Sequence, residues 1–302
     1  MKLEAKSNIA NKVRNTILPR TKPMMPLFEV ISNSIHAIDE AKEQGQLSNL
    51  GRIKIEIIRN GDKETLSSIE DIDKYPIKGF IITDNGIGLN DDNLNSFVEA
   101  DTDHKIKLGG KGVGRFICLK AFKKLIIKSR FLRENNKVSR EFEFLSTREG
   151  FHEYKESTNE DNKVLGTQIE LVGFKEEYKK YASNFLIDVA REIVFHFQLY
   201  FISNNVPVIT IENQNNTLIE LSKLFKTEFK SDIQHHDFKV AGNDLKLCLS
   251  KSYKAQSHKI HFCAHHRSVI EEGLSAKLVH LQVQKEENPS PFLGPIRGPF
   301  FC

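Results

Sequence analysis

The sequence predicts an α/β (α+β) chain of two domains, and three observations carry that prediction. Leu27, Val30, Ile31, Ile38 and Ala41 recur at helical spacing and mark a buried helix stripe. Arg52-Ile-Lys-Ile-Glu-Ile-Ile alternates strictly and marks a strand with Ile53, Ile55 and Ile57 on one face. The composition then shifts near Phe174–Lys180, after which an amphipathic segment and further strands repeat the mixed pattern. The domains are therefore expected at residues 1–175 and 176–302.

Residues 1–20 are polar and basic, with weak periodicity. The first long helix is expected from roughly Leu27 to Glu43. Pro26 suits its first turn, where a missing N–H costs nothing, and Gly45 ends it. The polar run Asn60 to Lys78 reads as a loop or insertion. Phe80-Ile81-Ile82-Thr83 reads as a short buried strand. Residues 91–100 predict a short helix, 101–115 a loop rich in Gly and Lys, and Phe116 to Lys123 a further helix.

Strands follow at Leu125–Ser129, Arg140–Leu145 and Thr167–Val172, with the polar stretch Glu156–Asn162 exposed. In the second domain Tyr181 to Phe201 predicts one long helix, with Phe185, Val189, Ile193, Phe197 and Phe201 as core. Strands are expected at Val206–Ile211, Leu245–Leu249 and Lys259–Cys263. Asn288 to Cys302 carries Pro289, Pro291, Pro295 and Pro299 and predicts no regular element. Its apolar residues imply docking on the protein, or a chain that continues as something longer.

A length of 302 residues allows a sizeable core, and 28% charged residues fit a soluble globular protein. No apolar run reaches membrane-spanning length, and the N-terminus lacks the apolar stretch of a signal peptide. Cys118, Cys248, Cys263 and Cys302 form no Cys-x-x-Cys, so a reducing, cytoplasmic setting is expected. A formal charge of +4 permits an anionic ligand without demanding one.

Three motifs, in order, point to one nucleotide pocket. The first is Glu29 with Asn33, four residues apart and so one helical turn above each other. Alone such a pair is a solvated helix face. Here it lies beside Ser32-Asn33-Ser34, poor helix formers in mid-helix, and such local conflict is expected at functional sites. A carboxylate can orient and deprotonate a water, and an amide oxygen is a hard ligand for Mg2+.

The second motif, Asp84-x-Gly86-x-Gly88, follows a buried strand. It is a plain turn or, more sharply, a carboxylate accepting from an exocyclic amine such as adenine N6, with glycines allowing close approach. The third is Gly110-x-Gly112-x-Gly114, spanning Lys111 and Val113 and running into Arg115 and an apolar helix. Glycine-rich backbone can cradle phosphates at a helix start, and Lys105, Lys111 and Arg115 can neutralise their charge. The P-loop pattern is absent, and the glycine spacing does not fit the dinucleotide fingerprint. A Gly166-Thr167 pair opens a later strand, where the Thr hydroxyl is a candidate support for Asp84 or for a bridging water.

Glu-x-x-x-Asn-Ser-x-x-Ala, Asp-x-Gly-x-Gly, Gly-x-Gly-x-Gly and Gly-Thr, in that order over roughly residues 20–175, resemble the GHKL superfamily. That group includes the gyrase B subunit, the ninety-kilodalton heat-shock chaperone, MutL-type repair proteins, MORC ATPases and histidine kinases. The resemblance implies a Bergerat-type ATP-binding sandwich of a mixed sheet covered by helices, plus a second α+β transducer-like domain. It implies Glu29 as general base, Asn33 as Mg2+ ligand, Asp84 as adenine anchor, Ala37 and Leu89 lining the base pocket, and Gly110–Gly114 in the ATP lid. Thr167 matches the family's Gly-Thr position. ATP-driven lid closure and homodimerisation are then expected, making a clamp or switch coupled to a DNA or protein effector.

No His lies among the 28 residues before Glu29, which argues against a histidine-kinase arrangement. Other readings kept open are a nucleotide-gated module with little turnover and, behind it, a histidine-kinase-like phosphotransferase. The resemblance also implies a lysine sent from the second domain to the terminal phosphate, with Lys277 as a candidate or its equivalent beyond residue 302. His258, His261, Cys263, His265 and His266 crowd together but match no structural zinc spacing, and read as an ordinary strand and turn.

Overall fold

The computed structural model describes residues 8–47, 50–61, 71–98, 114–158, 164–202, 206–228, 231–251, 259–264, 267–273 and 292–297. They fall into two compact units. The first holds the described residues up to 190 together with 207–220, and the second holds 191–206 and those from 221 onward.

The first unit opens with helices α1 (Ile9–Asn15) and α2 (Met25–Glu43). Asn8 caps α1 by accepting from the Asn11 N–H at 3.2 Å. In α2, Leu27, Val30, Ile31, Ile35, Ile38 and Ala41 are all buried, and Pro26 sits in the first turn. Gly45 follows at φ +67° and its N–H returns to the Lys42 carbonyl. Next come β1 (Arg52–Arg59), a 3-10 turn (Ile72–Lys74), β2 (Ile77–Asp84), α3 (Asp91–Val98) and α4 (Gly114–Ala121). Then follow β3 (Phe122–Arg133), β4 (Asn136–Leu145), β5 (Phe151–Thr158), β6 (Gly166–Phe174) and the short α5 (Glu176–Lys179). Helix α6 (Leu186–His196) carries the chain from the first unit into the second. The second unit continues with α7 (Gln198–Ile202), before β7 (Val208–Asn213) and β8 (Leu218–Glu220) return to the first.

These eight strands form one mixed sheet in the order β5-β4-β3-β6-β2-β1-β7-β8. Only the β1–β7 pairing is parallel; the other neighbours are antiparallel. Period-two patterning divides the sheet into two faces. Ile55, Ile82, Ile127 and Leu171 lie on the buried face, which α2 covers while α4 packs on α2 and β3. Lys54, Thr83, Gln168 and Lys128 line up across four strands on the opposite, polar face. The fold class is therefore the expected mixed α/β sandwich, with helices on the apolar face.

Arg59 is fully buried at the end of β1. It donates to Asp73, Asn213 and the carbonyls of Tyr75 and Asn184, tying β1, β2 and β7 to the chain before α6. Desolvation lowers its pKa, and Asp73 acts against that.

The second unit is α+β. It adds α8 (Leu221–Glu228) and strands β9 (Ser231–Val240), β10 (Asn243–Lys251), β11 (Lys259–Ala264), β12 (Arg267–Gly273) and β13 (Phe292–Arg297). Their sheet order is β12-β11-β13-β10-β9. Arg191 on α6 pairs with Glu228 on α8 at 2.7 Å.

Four sequence expectations change. The expected helix Tyr181–Phe201 is two helices; Val189, Ile193, Phe197 and Phe201 are buried, whereas Phe185 precedes α6 and is 55% exposed. The strand expected at Val206–Ile211 in the second domain is β7, which pairs with β1 through Ile211↔Ile55. Strand β5 was not foreseen: as an edge strand that is mostly exposed, it lacks the alternation that marks a half-buried one. The proline-rich tail contains β13. Its ladder to β10 skips Gly294 and Pro295, so the missing N–H falls where no bond to β10 is made.

Candidate functional site

Strand β2 ends on Asp84, and Ile53↔Asp84 pairing holds that end against β1. The carboxylate is buried. Its Oδ2 accepts from Ser34 Oγ at 2.8 Å, and its Oδ1 accepts from the Gly86 N–H at 3.0 Å and the Thr167 N–H at 3.2 Å. Burial pushes its pKa up to about 6, and the three donors act in the opposite direction. A carboxylate offers about four acceptor positions; three are used, so one is left for a further donor.

The turn after Asp84 is built against α2. The Ile87 N–H donates to the Ala37 carbonyl at 3.0 Å. A Cβ on Gly86 would lie 2.6 Å from the Ala37 carbonyl carbon, so only glycine permits this approach. Gly88 is buried and turns the chain at φ +81°. Leu89 is half-buried, and its N–H donates to Ser129 Oγ at 2.6 Å. Arg140 clasps the next segment from β4, donating to the Leu89 carbonyl at 2.7 Å and to Asp91 at 2.6 Å. Hydrogen bonds first from Arg133 and then from Arg140 draw the Asp91 pKa down to about 2.

The Gly166-Thr167 pair works through its backbone. The Thr167 N–H, not its hydroxyl, supports Asp84; the hydroxyl lies 3.1 Å from Ser129 Oγ. A Cβ on Gly166 would stand 2.0 Å from the Asp84 carbonyl oxygen. Glycine is therefore required for β6 to pass the end of β2.

Glu29 is half-buried on α2, and Asn33, one turn further, is exposed. Gly114 opens α4 beside Glu29: a Cβ there would lie 2.9 Å from Glu29 Oε2. The last glycine of the third motif thus reaches the carboxylate of the first, across 85 residues of sequence. Arg115 follows Gly114 on α4. It is buried, with its guanidinium 4.7 Å from the Phe116 ring centre and 5.5 Å from that of Phe97, and it donates to the Ser96 carbonyl. Cys118 is buried on the same helix; burial, then the nearby charge of Glu29, pushes its pKa up, so it behaves as a packed thiol.

Lys105, Gly110, Lys111, Gly112 and Val113 lie outside the described residues, as do Lys277, His258, His265 and His266. Among the described residues no three His, Cys, Asp or Glu side chains group to hold a metal. An ion held by one amide and a ligand's phosphates needs no such group. The structure adds three residues to the sequence reading. Ser34 and Gly166 hold or pass Asp84, and Ser129 joins Leu89 to the Gly166 carbonyl. The mid-helix serines were the available signal for Ser34. Nothing local to β3 distinguishes Ser129.

No protein-family model matches the chain. No characterised protein matches it either. Among solved structures it is similar to an Aquifex aeolicus MutL ATPase domain complexed with ADP, at 11% identity and a TM-score of 0.46, over 89% of each chain. No described helix is long and apolar enough to cross a membrane.

Proposed function

We propose that this chain is a GHKL-type ATPase, binding ATP with Mg2+ and hydrolysing it to ADP. The observation that carries the reading is Asp84: a buried carboxylate, held by Ser34, Gly86 and Thr167, that keeps one acceptor position for an adenine amino group. Ala37 and Leu89 flank that position. Glu29 is the general base; its closeness to Gly114, the last glycine of the third motif, supports that reading. Asn33, one turn from Glu29, is the protein ligand for Mg2+, which supplies charge neutralisation at the phosphates when bound. Gly110, Lys111, Gly112 and Val113 form the lid with Lys105. Arg115, packed on Phe97 and Phe116, anchors its hinge rather than a phosphate.

ATP binding closes the lid and favours a homodimer, so the product of turnover is a switch acting on a DNA or protein effector. The second unit transmits that change as a transducer. The reaction is cytoplasmic in setting.

The test is Glu29→Ala with phosphate release and nucleotide binding measured side by side. Removing a general base lowers turnover by roughly 10²-fold or more, while binding persists. Unchanged turnover removes Glu29 from the chemistry. Binding without phosphate release in the parent protein replaces hydrolysis by nucleotide gating alone.

A further inference from the structure

The polar face of the first sheet carries a cavity of about 380 Å3 that touches Asp84 and Thr167 but whose basic residues the nucleotide reading does not use. Strand register defines its geometry. One row reads Lys128, Gln168, Thr83 and Lys54 across β3, β6, β2 and β1. At the strand ends, Arg130 pairs with Gly166, and Arg52 accepts the Asn85 N–H and returns its own N–H to Asn85 Oδ1. Basic side chains therefore stand at the four corners, with neutral polar groups and a glycine between them. At a strand spacing of about 4.8 Å, the corners lie about 14 Å apart across the sheet and about 7 Å along it.

The floor is low at Gly166 because a Cβ there would strike the Asp84 carbonyl. The four cations are not equivalent. Lys54 pairs with Glu212 at 2.8 Å and Lys128 with Glu170 at 3.1 Å, so each exposed lysine already has a half-buried carboxylate partner. Arg52 and Arg130 have no acidic partner among the described residues, and Arg130 Nε is buried with no protein acceptor. A buried guanidinium donor without an acceptor calls for one from outside. An arginine side chain reaches about 7 Å, so two from opposite edges can meet between β6 and β2, beside Gly166.

We infer that this cavity is a second ligand site, taking the phosphate groups of a small phosphorylated molecule between Arg52 and Arg130. Guanidinium forks match phosphate oxygens in pairs. Asn85, Thr83 and Gln168 supply neutral hydrogen bonds. Val164, 71% exposed at the rim, offers apolar contact for the rest of the molecule. The site lies on the opposite sheet face from Glu29 and Asn33 but shares the ends of β2 and β6 with Asp84 and Thr167. The inference does not depend on the ATP reading.

The test titrates inorganic pyrophosphate into the full chain, following arginine Nε–H resonances and calorimetric affinity. Shifts are expected at Arg52 and Arg130, with affinity falling about 10-fold or more in R52Q/R130Q, as for loss of charge-assisted hydrogen bonds. Arg52→Gln alone, at an exposed position, should weaken binding without changing the thermal transition, which guards against a misfolded double variant. Saturating adenosine, which carries no phosphate, should leave pyrophosphate affinity unchanged, separating this site from the nucleotide pocket. Equal affinity in parent and R52Q/R130Q overturns the inference. So does absence of pyrophosphate binding, including the case where a single-stranded oligonucleotide binds through these arginines instead.

Discussion

Replacing Asp84 by Asn separates what the fold wants from what the site needs. An ordinary aspartate loses its proton near 3.8, whereas burial moves Asp84 to about 6. In the folded protein the proton is held more tightly than in the unfolded chain. Stability from this group is therefore complete below pH 4 and is lost as pH rises through 6. At 1.36 kcal/mol per pH unit, the ionised carboxylate costs the fold about 3 kcal/mol at neutral pH. Asparagine keeps an oxygen for the Gly86 and Thr167 N–H groups, and its amide can donate to Ser34 Oγ. The stability of D84N relative to the parent should rise by about 3 kcal/mol between pH 4 and pH 7. Urea unfolding at a series of pH values measures it. Adenine-nucleotide affinity should collapse in the same variant, because an amide N–H would then face the amine. A pH-independent stability difference would refute the buried-charge argument, and intact nucleotide affinity would refute the adenine anchor.

Three further outcomes are expected. Arg59→Ala removes a buried guanidinium from Asp73, Asn213 and the Tyr75 and Asn184 carbonyls, leaving Asp73 with only the Asn213 amide and the Leu186 N–H, and should cost about 3–5 kcal/mol in chemical denaturation; a loss below about 1 kcal/mol would show that water replaces the guanidinium. Gly166→Ala forces a Cβ into the Asp84 carbonyl at φ +138° and should destabilise by about 3 kcal/mol or more, with nucleotide binding falling in parallel. Gly114→Ala meets only the flexible end of Glu29, so the melting transition should stay close to the parent's while phosphate release slows; unimpaired release would mean that the placement of the Glu29 carboxylate is not critical.

Patterns that depend on near neighbours were legible in the sequence. The α2 stripe shows because every buried residue on one helix face recurs within a turn. Strands β1 and β2 show because one face is apolar. The three short motifs carry their own chemistry, and a serine-rich stretch in mid-helix already marked α2 as unusual. Strand β5 was invisible because an exposed edge strand is held by β4 and by Glu156 pairing with Arg133 and Arg140, not by its own periodicity. Strand β13 was obscured because a proline is acceptable only once the position of the interrupted ladder is known.

The amino-acid order by itself determined the elements and the residue types that the candidate pocket would need. Local propensity and hydrophobic period act over a few residues and require no knowledge of partners. Long-range pairing decided the rest: that β7 returns to β1, that Ser34, Gly86 and the Thr167 N–H converge on one carboxylate, and that Gly114 meets Glu29. It also set four basic residues around a glycine floor on the polar face. Such contacts join residues that are neighbours only after the strands have chosen their order. The free energy that fixes that order comes from burying the whole apolar face at once, which no short stretch of sequence encodes.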